Sequence, residues 1–258
     1  MKREIFYSNS FYPSSYTKVL EFIRDNYSES KNTNQNLIGY ILPHAGWIYS
    51  GSVALKGLSN KPDINIENIY ILGPSHRVPF PGVAVTDYKS YKTLNGEFHI
   101  NSKINSDLLK IKGVCVNNKA HDLEHSLEVQ LEFLYYLYPH AQIIPLVVGF
   151  NSENILVEIF KYILSTSNSL IIISSDLSHY LEYNTATTLD KYTIEEIINN
   201  RQISSSTACG SNIINGFTLF NNRSEYVLKL FEYKNSGDTS GDKSRVVGYS
   251  AIGIYKNG

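Results

Sequence analysis

Cysteine is scarce in this chain. Cys115 and Cys209 are the only two among 258 residues, too few for a disulfide framework, and a reducing compartment leaves both as thiols. No apolar run is long enough to span a bilayer and no signal peptide opens the sequence, so a cytoplasmic location is the default expectation. An excess of charge of one sign is missing too. A formal net charge of −1 offers no electrostatic footprint for nucleic acid or for an anionic membrane surface. The G-x-S-x-G elbow, the G-x-G-x-x-G fingerprint and the HExxH metalloprotease motif are absent. GDTSGDKS at 237–244 has the wrong glycine spacing for a phosphate-binding loop and does not join a strand to a helix. Neither an internal repeat nor a shift in composition divides the chain, which reads as one domain over residues 1–258.

What is present is enough apolar material for a sizeable core, 42% of residues against 18% charged. It falls into short apolar runs separated by helical patterns. Leu37–Leu42, Asn68–Leu72, Gln142–Gly149 and Ser169–Ser175 have strand composition, and Val83–Val85, Glu97–Ile100 and Val114–Val116 read as shorter strands. An entry segment carries a helix with Val19, Leu20 and Ile23 on one face, capped by Ser14 or Ser15. A polar, loop-like run follows at 28–36. The clearest helix is His121–Tyr138, with Leu123, Leu127, Leu131 and Leu134 at helical spacing and Pro139 as its stop. Further helices are expected over 101–110, 153–165, 187–200 and 207–220. The chain closes on two strands, 226–233 and 246–255, joined by a polar loop at 235–245 and expected to pair antiparallel. Strands alternating with helices predict an α/β fold: a mostly parallel central sheet, helices on both faces, and an antiparallel C-terminal strand pair.

Three of the strands end on a polar residue. Pro43 stops the first and His44 follows; the second runs into Gly73-Pro74-Ser75-His76; the fourth delivers Asp176, with His179 three residues on. In a mostly parallel sheet these tips face one way, toward the edge where open α/β sheets bind ligands. Any one tip is adequately explained as a helix cap or turn residue. Two histidines in matching positions suit a metal better, because imidazole is a poor cap. Cys209, beside Gly210 at the opening of a helix, is placed where N–H groups and the helix dipole favour thiolate, hence a soft metal ligand or nucleophile. Cys115, between two valines, fits a small buried hydrophobe. His121, His125 and Glu128 share a helix face by spacing, and spacing alone reads as a solvated acidic face. Asp176 and His179 are either an acid/base couple or a turn in which the aspartate caps the following backbone.

With these residues in view, the chain resembles the Memo family, also called AmmeMemoRadiSam system protein B. The matches are PHAGWIYSG at 43–51, GPSHRV at 73–78, HDLEHSLEVQLEFL at 121–134, IIPLVVG at 143–149, SSDLSHY at 174–180, TACGSNIINGF at 207–217 and VVGYSAI at 246–252. The resemblance implies a fold similar to class III extradiol ring-cleaving dioxygenases, and a pocket in which His44, His76 and Cys209 are metal ligands. It implies catalytic positions for His179, Asp176 and His125 around them. A thiolate in place of the hard carboxylate of a facial triad shifts the preference toward softer or borderline ions, so iron or copper is expected, with zinc as an alternative.

Three functions are compatible with that pocket. One is a metal-dependent redox enzyme acting on an aromatic or other small molecule. Another is a non-catalytic module binding a peptide or small ligand there. The third is zinc-assisted hydrolysis. The resemblance also implies work beside a radical-SAM enzyme and an AMMECR1-like protein.

Overall fold

The computed structural model describes residues 1–30, 36–222 and 225–257. Strand β1 (Lys2–Arg3) and helix α1 (Tyr16–Asn26) precede β2 (Leu37–Leu42), α2 (Trp47–Leu58) and β3 (Asn68–Pro74). There follow β4 (Val83–Val85), β5 (Ser90–Thr93), β6 (Gly96–His99), α3 (Ser102–Leu108), β7 (Val114–Val116) and α4 (Asn118–Asp122). Next come α5 (His125–Leu137), β8 (Gln142–Val148), α6 (Glu153–Ser165), β9 (Ser169–Ser174), β10 (His179–Leu181) and α7 (Tyr183–Ile198). The described elements end with α8 (Ser211–Phe220), β11 (Tyr226–Asn235), α9 (Ser236–Ser240) and β12 (Val246–Lys256).

The main sheet runs in the order β10-β12-β2-β9-β3-β8-β4-β7, with β11 also on β12. Its centre, β2-β9-β3-β8, is parallel throughout. Those strands are almost unbroken apolar sequence because both of their faces are covered. Side chains alternate between faces as the pleat requires. Tyr40, Leu42, Ile69 and Ile71 join one core with α1, α2 and α5. Ile41, Tyr70, Leu72 and Ile173 join the other with α6, α7 and α8. The fold is therefore the expected α/β arrangement with helices on both faces. β11 and β12 pair antiparallel, and β12 continues antiparallel onto β2. β1, β5 and β6 form a separate three-stranded sheet, in which β1 and β5 carry too little pattern to be read from the sequence.

Several local expectations need correction. The helix expected over 121–138 is two: α4 ends at Asp122, and α5 begins at His125 behind Glu124, whose carboxylate caps it by accepting from Ser126 N–H. His121 is accordingly not on the face of α5. It is fully buried between the Tyr91 hydroxyl (2.6 Å) and the Ala84 carbonyl (3.0 Å). The acidic face of this region is not solvated either: Glu124, Glu128 and Glu132 are all buried. Cys115 is exposed rather than buried, because β7 is the outermost strand at its end of the sheet and has only β4 beside it. α7 starts earlier than expected, capped by Glu182. The loop at 235–245 contains a helical turn held by a capping box between Asn235 and Asp238. Ser15 takes the N-cap position of α1 without a side-chain bond. Of the polar run at 28–36, residues 31–35 lie outside the described residues.

Candidate metal centre

Strand order explains why the polar tips meet. β9 lies between β2 and β3 and parallel to both, so Asp176 emerges between His44 and His76. The rings of His44 and His76 are 5.2 Å apart, and each lies within 5.3 Å of the His125 ring, which enters from the first turn of α5. Cys209 completes the group, its Sγ 3.3 Å from His44 Nε2. One ligand atom each from His44, His76 and Cys209 can be placed within 4.8 Å of one another. Two glycines make this closeness possible. A Cβ on Gly73 would stand 2.3 Å from Ser126 Oγ, and one on Gly210 would stand 2.6 Å from Ser175 Cβ.

Hydrogen bonds fix the tautomer of both histidine ligand candidates. Ser174 Oγ donates to the Ser126 carbonyl at 2.6 Å, which uses its only proton. It must therefore accept from His44 Nδ1 at 2.9 Å, as it does from the Gln130 amide at 3.1 Å. His44 Nε2 is left as a bare lone pair facing Cys209. Glu124 does the same for His76: one carboxylate oxygen takes Nδ1–H at 2.8 Å and the other takes the backbone N–H at 2.7 Å. Burial alone would raise the Glu124 carboxyl, but the bonds from His76 and Ser126 outweigh it and hold it down at about 2. Glu124 is thus ionised and can only accept, so Nδ1 of His76 carries its proton and the metal-binding lone pair of the neutral ring belongs to Nε2.

Burial lowers His44 well below the usual imidazole range, and the neighbouring His76 lowers it further. His125 is brought down to about 3 by burial and by the two facing imidazoles. Its Nδ1 is buried with no hydrogen-bond partner. Neutral imidazoles converging on one point are the form in which histidine binds metals.

The sequence placed Cys209 in the first turn of a helix with a depressed thiol. In fact it precedes the Gly210 N-cap of α8, and burial followed by repulsion from Asp176 pushes its thiol up. A reciprocal pair of bonds ties it to β9: Cys209 N–H donates to the Asp176 carbonyl, and Asp176 N–H donates to Sγ, both at 3.2 Å. The Asp176 carboxylate accepts from the His44 backbone N–H at 2.8 Å and makes no hydrogen bond to His179. The aspartate does not cap the backbone that follows it; its carboxylate caps the tip of β2 across the sheet. Burial pushes the Asp176 carboxyl up to about 6.

His125, Asp176 and exposed His179 line a cavity of about 520 Å³; His44, His76 and Cys209 are not in its lining and meet it through the His125 ring and Asp176. Phe11 covers it from the N-terminal segment, its ring 4.8 Å from that of His125.

A family model described as Memo-like protein matches residues 3–253. The chain belongs to the Memo family. A MEMO1 family protein of Desulfurococcus amylolyticus is 33% identical over 240 residues, covering 85% of this chain and 83% of its own. One from Thermoplasma volcanium is 29% identical over 253 residues, covering 94% of both chains. The crystal structure of an uncharacterized protein from Escherichia coli K12 superposes with a TM-score of 0.50 over 84% of this chain and 100% of that one. At 12% identity it bears on the fold alone. Among the described residues, no helix of this Memo protein is long and apolar enough to cross a membrane.

Sequence reading passed over Glu124, Ser174 and Gln130, whose partners are distant in the chain. The available signal was Glu124 itself, a carboxylate immediately before an apolar helical run. Glu124→Gln would turn a donor toward the N–H groups that the carboxylate now accepts. Such a change in an outer-shell partner is expected to weaken metal binding about 10–100-fold, measured by chelator competition. Unchanged affinity would remove Glu124 from any orienting role.

Proposed function

We propose that His44 Nε2, His76 Nε2 and the Cys209 sulfur hold a transition-metal ion, iron or copper, for redox chemistry on a small molecule in the adjoining cavity. The observation that carries this reading is the pair of imidazoles whose Nδ1–H groups are committed to Ser174 and Glu124, with both Nε2 lone pairs converging beside a sulfur. A donor set of two imidazoles and a thiolate suits borderline and soft ions. Burial keeps the thiol protonated when no cation is near, so metal uptake releases its proton. When bound, the ion supplies Lewis-acid or redox character beside the cavity. His125, neutral and held between Phe11 and His76, lines the cavity and can hydrogen-bond a ligand there as an uncharged ring. Asp176 fixes the backbone of His44 and, with His179, brings further proton-carrying groups to the wall.

The test is elemental analysis of protein purified anaerobically and reconstituted separately with iron(II), copper(I) and zinc(II). Wild type is expected to retain near-stoichiometric metal, and Cys209→Ser and His76→Ala to lose most of it. Wild type that retains none, with the fold intact by circular dichroism, overturns the reading. Selective retention of zinc would replace redox chemistry with metal-assisted hydrolysis.

A further inference from the structure

The outer half of the cavity carries a feature that the metal centre does not use. Arg245, immediately before β12, lines the cavity with its guanidinium carbon 5.2 Å from the centre of the Tyr180 ring. Arg3 and Arg201 have carboxylate partners, Glu128 and Glu196, whereas Arg24, Arg77 and Arg245 have none within ion-pair reach among the described residues, and of these three Arg245 lines the cavity. The Tyr180 face is what Arg245 rests on. That face is positioned at a backbone cost. β10 and β12 pair at His179–Val247 and Leu181–Val246, and the register slips between them, at Tyr180. Tyr180 has φ +59°, the left-handed region that a bulky residue rarely occupies. Bulges of this kind re-aim a side chain beside a site. Tyr180 is 63% exposed with the arginine in place. The strand start that bears Arg245 is steadied in turn by Val247 N–H donating to Ser236 Oγ at 3.1 Å.

The rest of the lining narrows the ligand class. Phe11, Tyr49 and Tyr249 supply aromatic surface. Two carboxylates are present: Asp176, bound to the His44 backbone, and Asp242, whose Oδ1 accepts from the Ser244 N–H and hydroxyl. The guanidinium beside aromatic walls favours a ring-bearing ligand whose negative charge lies at Arg245, and the two aspartates penalise every further negative charge, so a monoanion is preferred to a dianion.

We propose that Arg245, seated on the Tyr180 ring, is the specificity-determining residue of the cavity and selects a small aromatic carboxylic acid by pairing with its carboxylate. The inference rests on the reading that the cavity receives a small molecule beside the metal centre, and it deepens that reading by naming the class.

Binding of 4-hydroxybenzoate and 4-hydroxyphenylacetate is compared with that of their neutral amides and of phenyl phosphate, by calorimetry on the full chain. Metal content is recorded on the same samples. In wild type at least one acid is expected to bind about tenfold tighter than its amide, as a charge-assisted hydrogen bond supplies, and tighter than phenyl phosphate. Arg245→Gln, at an exposed position, should bring the acid-to-amide ratio to about one with metal content unchanged, and Arg245→Lys should keep part of it. Equal binding of acids and amides, no binding of either, or a preference for phenyl phosphate each overturns the inference. If metal is bound normally in those cases, the metal reading stands. If the protein takes no metal, that reading fails separately, and the ratio still decides the role of Arg245.

Discussion

Glu128→Gln is expected to lower the unfolding free energy by about 3–5 kcal/mol, the usual result of removing one partner from a buried ion pair. Both members of the pair are almost fully enclosed, Arg3 at 3% and Glu128 at 1% exposure. The carboxylate also accepts from Tyr7 N–H at 2.6 Å, Phe6 N–H at 2.9 Å and the Tyr12 hydroxyl at 2.8 Å. Arg3 donates in addition to the carbonyls of His121, Asp122 and Glu124. The glutamine variant leaves a guanidinium buried without its countercharge, and turns an amide N–H toward groups that also donate. For a chain of this size the loss corresponds to a fall in Tm of roughly 10 °C. The double variant Arg3→Met, Glu128→Gln should recover part of the loss, because the stranded charge is gone while an acceptor remains for Tyr7 N–H. Chemical denaturation of the three proteins measures both effects. A single variant within about 1 kcal/mol of wild type would show that Arg3 is not held by this pair. The consequence reaches the site, because the segment gripped by Glu128 carries Tyr7 and Phe11, whose rings lie 5.7 and 4.8 Å from His125.

One turn further along α5 the opposite result is expected: Glu132→Gln should stabilise the protein above neutral pH. Glu132 is buried like Glu128, but among the described residues its carboxylate accepts only the Leu94 N–H, at 2.8 Å. Burial raises its carboxyl from 4.5 to about 7; the Leu94 bond opposes this and Glu128 adds to it. The folded state therefore holds the proton more tightly than the unfolded chain. Its contribution is fully present below about pH 4.5 and is lost as the pH rises through 7. At about 1.4 kcal/mol per pKa unit the loss is on the order of 3 kcal/mol by pH 8. Glutamine keeps the acceptor and has no charge to bury. Urea denaturation of wild type and variant should give similar stabilities at pH 5 and a variant more stable by roughly 3 kcal/mol at pH 8. Comparing the two proteins at each pH cancels the other titrating groups. An equal difference at both values would mean that Glu132 is ionised throughout.

The contrast between these carboxylates marks how far sequence reaches. A short apolar run followed within a few residues by a polar side chain is a local pattern, and His44, His76 and Asp176 do lie just past the ends of β2, β3 and β9. That they converge depends on β9 inserting between β2 and β3, which no neighbouring residues encode. Cys209 was joined to them only through the Memo resemblance; its chemical state follows from enclosure by Ser175 and Asp176, a contact 33 residues away. Glu124, Glu128 and Glu132 look alike on a helical wheel. One is ionised against a histidine 48 residues earlier and one pairs with an arginine 125 residues earlier. The third has no cation within ion-pair reach among the described residues. Helical spacing predicts which side chains share a face, not whether that face finds water or the N-terminal segment.

The placement of β12 bears on how the protein is made. β2 carries His44 to its position with β9 on one edge and β12 on the other, and β12 also holds β10, the strand that begins at His179. On a ribosome that has just passed Cys209, every ligand candidate for the metal has been synthesised, yet one long edge of β2 still shows unpaired N–H and C=O groups. Such an edge invites pairing with other chains, and the fold cannot close it from local sequence, since its partner is the strand nearest the C-terminus. The candidate ligands are therefore all synthesised before the strand that closes the edge of β2 is available. A chain terminated before Val246 would contain His44, His76 and Cys209 but leave that edge of β2 open.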